Sequence, residues 1–152
     1  MRITKSFTQI NKGTPLQVFP LLCPVREKDW LYDWEYEMIC SESGLIEKGC
    51  VFTTAHHGKH ATVWYVTEYD KDNFSIEFLR LTPKSEVVKI NIKLKETENY
   101  HTETKITYEY TPLNKERSDY LKLNIDKDFE NMMLFWEKAV NHYLETGKML
   151  KI

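Results

Sequence analysis

The 152-residue chain lacks the marks of several large functional classes. It has no excess of positive charge, since 21 Lys and Arg stand against 23 Asp and Glu for a net of −2 with histidine neutral. Proteins that hold nucleic acid gain much of their affinity by neutralising phosphates with clustered cations, so no nucleic-acid partner is expected. No apolar run approaches the roughly 20 residues that cross a bilayer. The opening MRITKSFTQINK alternates polar and apolar residues, without the apolar centre of a secretion signal. A soluble cytoplasmic protein with no integral membrane segment is the expectation. Cys23, Cys40 and Cys50 are too widely spaced for a Cys-x-x-Cys knuckle or redox pair, and they read as small buried thiols. Nucleophile elbow, HExxH, phosphate-cradling glycine loop, GxGxxG and close Cys/His pair are all missing, as are repeats and low-complexity tracts. These absences remove motif-borne chemistry, but not an enzyme in which one or two cavity side chains act as acid or base.

What is present is a balanced globular composition, 41% hydrophobic and 29% charged, of the size of one domain. Residues 2 to 10 read as a strand. Thr14-Pro15 then offers an N-cap followed by proline in the first turn of a helix over PLQVFPLLC. Pro20 and Pro24 interrupt that helix, so two short helices are expected, the second over VREKDWLYD. From Trp34 the period changes to two: Trp34, Tyr36, Met38 and Cys40 share one face, and SESG ends the strand. KGCVFTTA and HATVWYVTEYD follow as strands joined by HHGK, with Gly58 suited to a hairpin turn. NFSIEFLRL, VVKINIKLK and TETKITYEYT alternate most clearly, the last with Thr104, Ile106, Tyr108 and Tyr110 facing one way. Six successive strands with short turns must be mostly antiparallel. Their charged face leaves the other to be covered.

The cover is a long amphipathic helix in which Leu121, Ile125, Phe129, Met132, Met133, Trp136, Val140, Tyr143 and Leu144 recur at three- and four-residue spacing. Ser118 is the expected N-cap, with Asn124 or Asp126 as later starts, and Gly147 is the expected end.

This order resembles the helix-grip fold of the START-like (SRPBCC) superfamily, which includes the birch-pollen allergen family, lipid-transfer domains, polyketide cyclases and activators of the heat-shock ATPase. VFPLLCPVREKDW, SGLIEKGCVFTT, TVWYVTEYD and FWEKAVNHYLETGK are the most similar segments, and they resemble an uncharacterised bacterial and archaeal branch. The resemblance implies one α+β domain over residues 1–152. In it, a curved antiparallel sheet of about seven strands wraps the C-terminal helix, with two short helices after the first strand. It also implies a cavity between sheet and helix, with Cys23 to Asp33 as a gate at its mouth and a small hydrophobic molecule as partner. Lipid, sterol-like or polyketide-like ligands fit that expectation, with no cofactor and no metal.

On this reading the candidate ligand-binding residues are Arg26, Trp30, Trp34, Tyr36, Met38, Phe74, Phe78, Tyr108, Tyr110, Met132, Met133 and Trp136. Inward apolar side chains mostly fill cores, so the set carries more weight than any member. Arg26 suits a carboxylate or phosphate head group, although a surface pair with Glu27 or Asp29 is the commoner role of such an arginine. Trp30 and Trp34 either wall the mouth or anchor the short helix. His56, His57 and His60 invite a metal reading, but HHGKH is also an ordinary polar turn and no fourth ligand lies nearby. His101 and His142 have no evident catalytic partner.

Two other function classes stay open. One is a cyclase or aromatase using Tyr36, Tyr108 or Tyr110 as acid or base, with Glu35 weaker because it faces outward. The other is a chaperone-regulating protein of the heat-shock activator type, with Lys89, Lys93, Lys95, Glu103, Lys105 and Glu109 as a partner surface. Edge strands such as residues 2 to 10 leave a homodimer open.

Overall fold

The computed structural model describes residues 1–55 and 60–151. The expected hairpin tip at HHGK, including His56, His57 and Gly58, lies outside the described residues.

Strands β1 (Ile3–Asn11), β2 (Glu37–Cys40), β3 (Val51–Thr54), β4 (Thr62–Asp70), β5 (Ser75–Thr82), β6 (Glu86–Glu96) and β7 (Thr102–Pro112) form one sheet. Its order is β1-β7-β6-β5-β4-β3-β2, and every neighbouring pair is antiparallel. Helix α1 (Pro15–Val18), a 3-10 turn (Phe19–Leu22) and α2 (Pro24–Trp30) connect β1 to β2, and α3 (Lys115–Thr146) closes the chain. This is the α+β helix-grip architecture expected from the sequence.

Local chemistry sets the helical corner that walls the site. Gln17 Oε1 accepts from the Thr14 N–H at 2.8 Å, one half of a capping box that starts α1. Pro20 sits at the start of the 3-10 turn and Pro24 at the start of α2, where a missing N–H costs nothing. Two short helices are therefore separated by a 3-10 turn, as the prolines require.

The sheet's inner face is apolar where the alternation is strictest. Val88, Ile90, Ile92 and Leu94 on β6 and Ile106, Tyr108 and Tyr110 on β7 are buried. Lys89, Lys93, Lys95, Glu103 and Lys105 are exposed on the other side, and Glu109 is half-buried there. That outer face is not charged throughout: Tyr65, Leu79 and Leu81 are exposed on β4 and β5, with Tyr65 opposite Leu79. Leu121, Ile125, Phe129, Met133, Ala139 and Val140 of α3 are buried.

Two element starts and the place of one thiol depart most from the sequence reading. Strand β2 begins at Glu37, not Trp34, because Trp34 turns back to donate its Nε1–H to the Pro24 carbonyl at 2.9 Å. A register shift between Met38 and Cys40 leaves Cys40 exposed on this edge strand, so only Cys23 and Cys50 are the buried thiols expected. Helix α3 begins at Lys115, one turn before Ser118. Asn114 is its cap, its side chain accepting from the Arg117 N–H at 2.7 Å. Gly147 ends it with φ 70°, as expected. Asn114 also donates to the Lys84 carbonyl, which ties the helix start to the β5–β6 turn. Asn114→Ala is expected to cost about 1 kcal/mol, read as a shift in urea midpoint with unchanged m-value.

Candidate functional site

A cavity lies between the inner sheet face, α2 and α3. Its apolar wall comes from Val18 and Leu22, from Phe52, Trp64 and Phe78 of the central strands, from Ile90, Ile92 and Ile106, and from Trp136 and Val140 of α3. Aromatic contacts fix this wall: Trp64 stacks on Phe52 at 5.4 Å and meets Phe78 edge-on at 6.0 Å. The lining atoms enclose about 650 Å³ of void including the open mouth, but only about 40 Å³ admits the centre of a water molecule. The second figure governs occupancy, and it leaves room for about three waters. A drug-sized ligand needs more, so entry must displace side chains at the wall.

One side of the cavity is polar. Thr104 Oγ1 donates to Asn11 Oδ1 at 2.6 Å, and Gln9 Nε2 donates to the Met133 carbonyl at 3.1 Å. These buried groups satisfy each other. Two others do not. The Tyr108 hydroxyl is wholly buried and has no hydrogen-bond partner among the described residues. Glu27 projects from α2 into the same cavity, while the neighbouring cations turn elsewhere: Arg26 to Asp29 at 2.9 Å and Lys28 to Glu35 at 3.2 Å. Burial among apolar walls pushes the Glu27 carboxyl up to about 8 from an ordinary 4.5. Burial likewise pushes the Tyr108 hydroxyl well above the usual tyrosine range, against a smaller opposing pull from Arg80. Tyr108 is therefore a neutral hydrogen-bond donor at pH 7, and burial shifts Glu27 towards its protonated form.

Of the residues singled out in the sequence, Trp30, Trp34, Phe78, Tyr108 and Trp136 line this cavity. Trp30 and Trp136 meet edge-on at 6.5 Å, and Trp30 Nε1 donates to the Leu21 carbonyl at 2.8 Å. The other seven lie outside the lining. Arg26 makes its surface pair with Asp29, and its Nη2 lies 3.5 Å from the Tyr143 hydroxyl. Tyr36 stacks on Trp34 at 6.5 Å, and Met38 accepts from the Cys50 thiol at 3.4 Å. Phe74 sits before β5 with φ 52°, a left-handed conformation rare for a bulky side chain, and packs edge-on against Phe19. Met133 is buried in the main core, while Tyr110 and Met132 line a separate shallow depression beside α3.

A second, polar cleft opens behind Trp64, which is a wall of both spaces. Here Glu86, 3% exposed at its side chain, lies between two arginines. It accepts from Arg80 Nη2 at 3.2 Å and from Arg117 Nε.

The sequence reading missed Glu27, Arg80, Glu86 and Arg117, although three carry a periodic signal. Glu27 is four residues after Cys23 and three before Trp30, on the stripe of α2 that both bury. Arg80 continues the inward series Ile76, Phe78, and Glu86 precedes the inward series Val88, Ile90, each by one step of two.

No protein-family model and no curated protein sequence matches the chain. Solved structures match by fold over nearly its whole length. A protein of unknown function from Staphylococcus aureus has a TM-score of 0.72 at 13% identity, covering 97% of this chain and 96% of its own. Norcoclaurine synthase from Thalictrum flavum has a TM-score of 0.69 at 11% identity, covering 96% and 88%. The Zhui aromatase/cyclase from a Streptomyces species has a TM-score of 0.68 at 9% identity, covering 99% and 100%. At such identities the likeness is one of fold: the chain shares the helix-grip fold of these structures.

Proposed function

We propose that the protein binds a small, largely apolar molecule carrying an oxygen acceptor in the cavity between sheet and α3. The observation that supports this reading is the Tyr108 hydroxyl, a buried donor with no hydrogen-bond partner among the described residues, on a residue that lines an apolar space shared with Glu27. A buried hydroxyl left unpaired costs about 1–3 kcal/mol, which a ligand carbonyl or hydroxyl restores. Apolar walls supply affinity at roughly 25 cal/mol per Å² of ligand surface removed from water. Trp34, only partly buried at the mouth, is the aromatic best placed to move on entry.

A matched pair of neutral ligands tests this. Tetralone carries a carbonyl that tetralin lacks. Wild-type protein is expected to bind tetralone about tenfold more tightly, and Tyr108→Phe is expected to remove most of that preference without lowering stability. Equal affinity for the two in wild type, or no binding of either, contradicts the reading.

A second reading is an enzyme of the cyclase or aromatase kind. A carboxyl poised near the working pH is suited to proton transfer, and Glu27 meets that condition. The tyrosines do not suit the role of base, because burial raises both Tyr108 and, to about 12, Tyr110. Their role in either reading is hydrogen-bond donation.

A further inference from the structure

The cleft behind Trp64 holds more positive charge than its own carboxylate cancels. Arg80 and Arg117 share Glu86, and among the described residues neither has a second carboxylate within salt-bridge distance. Two guanidiniums on one carboxylate leave one positive charge uncompensated. Arg80 Nε is buried and has no acceptor among the described residues. Its guanidinium lies over the Trp64 ring at 5.5 Å and the Tyr108 ring at 5.8 Å, so its position is fixed by two aromatic faces. Asp128, which shares a neighbouring depression with Arg80 and Arg117, accepts instead from the Tyr120 hydroxyl at 2.7 Å, and Glu116 lies beside Arg117 in another without an ion pair to it.

Among the described residues the remaining walls are hydroxyl-bearing or neutral. Thr54, Thr62, Thr82 and Ser85 line an open space of about 340 Å³, the Thr62 and Thr82 hydroxyls lying 3.3 Å apart. Thr54 holds Trp64 in place by accepting from its Nε1 at 3.0 Å. A planar guanidinium with unused N–H groups is the side chain best matched to carboxylate, sulfate or phosphate oxygens.

We propose that this cleft is an anion subsite for the acidic head group of the molecule whose apolar body enters the cavity. Arg80 and Arg117 contact the head, and Trp64 separates head from body. The ligand class is an amphipathic organic acid with an aromatic or alicyclic body. The body's placement rests on the cavity reading above; the anion subsite stands on the cleft alone.

Three measurements test it. Anilinonaphthalene sulfonate and phenylnaphthylamine share their rings and differ in the sulfonate. The sulfonate probe is expected to bind at least about tenfold more tightly. Arg117→Gln is expected to weaken it about tenfold, Glu86→Gln to tighten it, and both to leave the neutral probe unchanged. Loosened structure would raise binding of both probes, so the unchanged neutral probe separates a charge effect from it. Heteronuclear NMR of wild-type protein supplies the third arm, with inorganic sulfate titrated against chloride at constant ionic strength. Sulfate is expected to move the Arg80 Nε–H signal. If neither probe binds while sulfate moves that signal, the cavity reading fails and the anion subsite stands. Equal affinity for the two probes in wild type overturns the head-group assignment, and an unmoved Arg80 signal overturns the subsite.

Discussion

Glu86→Gln is expected to destabilise the protein by about 3 kcal/mol, a fall in melting temperature of about 6–12 °C for a chain of this length. Glu86 faces inward at the start of β6 with 3% of its side chain exposed, and its two oxygens serve Arg80 and Arg117, whose side chains are 20% and 31% exposed. Gln keeps the shape and removes the charge, so two partly buried guanidiniums then face each other across the cleft with no carboxylate between them. Removing one member of a buried ion pair costs more than the pair contributes, because the desolvated partner remains. Arg117→Gln should cost less, since Arg117 is the more exposed and Glu86 keeps Arg80. Thermal melts of the two variants check the order, and a Glu86→Gln melt within 2 °C of wild type, well under the shift expected for a buried pair, contradicts this account of the triad.

Glu27→Gln is expected to act in the opposite direction, and only at higher pH. The folded-state carboxyl lies near 8 against an ordinary 4.5, so between those values the native state holds a proton that the unfolded state has released. Stability is therefore fully present below pH 4.5 and falls as pH rises through 8. The full displacement corresponds to roughly 5 kcal/mol. Part of Glu27 meets solvent at the mouth, and that contact reduces the expected loss to about 2–3 kcal/mol. Gln mimics the neutral acid and carries no proton to lose. Urea unfolding should give similar stabilities for wild type and variant at pH 5, with the variant more stable by that margin at pH 9. Parallel profiles would place the carboxyl in water.

The fold was legible because its signals are local and redundant. Strict alternation in β6 and β7, proline punctuation around α2 and Gly147 at the end of α3 each act through nearest neighbours, and each stands where the pattern put it. Errors fell where a tertiary bond competes with the pattern. Trp34 left the strand to bond the Pro24 carbonyl, and Asn114 displaced Ser118 as cap by reaching both Arg117 and Lys84.

The site was only half legible, for a different reason. Trp30, Trp34, Phe78, Tyr108 and Trp136 stand on faces whose apolar character is evident, and they line the cavity. Glu27 reads as a surface partner for Arg26, since a charged residue in VREKD has the pattern of a solvated one. Its place on the Cys23–Trp30 stripe shows that helical position outweighs residue type here. Glu86 and Arg80 hide similarly: each is a charged residue at the end of an apolar alternation that runs on through it. Arg117 carries no such signal, because its position depends on where α3 starts.

Native mass spectrometry of freshly purified protein, followed by solvent extraction of whatever it carries, tests the cavity reading most directly. We expect a one-to-one passenger with an apolar body and an oxygen function, displaced by tetralone and lost at lower concentration from Tyr108→Phe. A bare protein mass, together with no uptake from a broad panel of apolar ketones, phenols and acids, would mean that the aromatic wall fills its own cavity and that the protein does not bind such molecules.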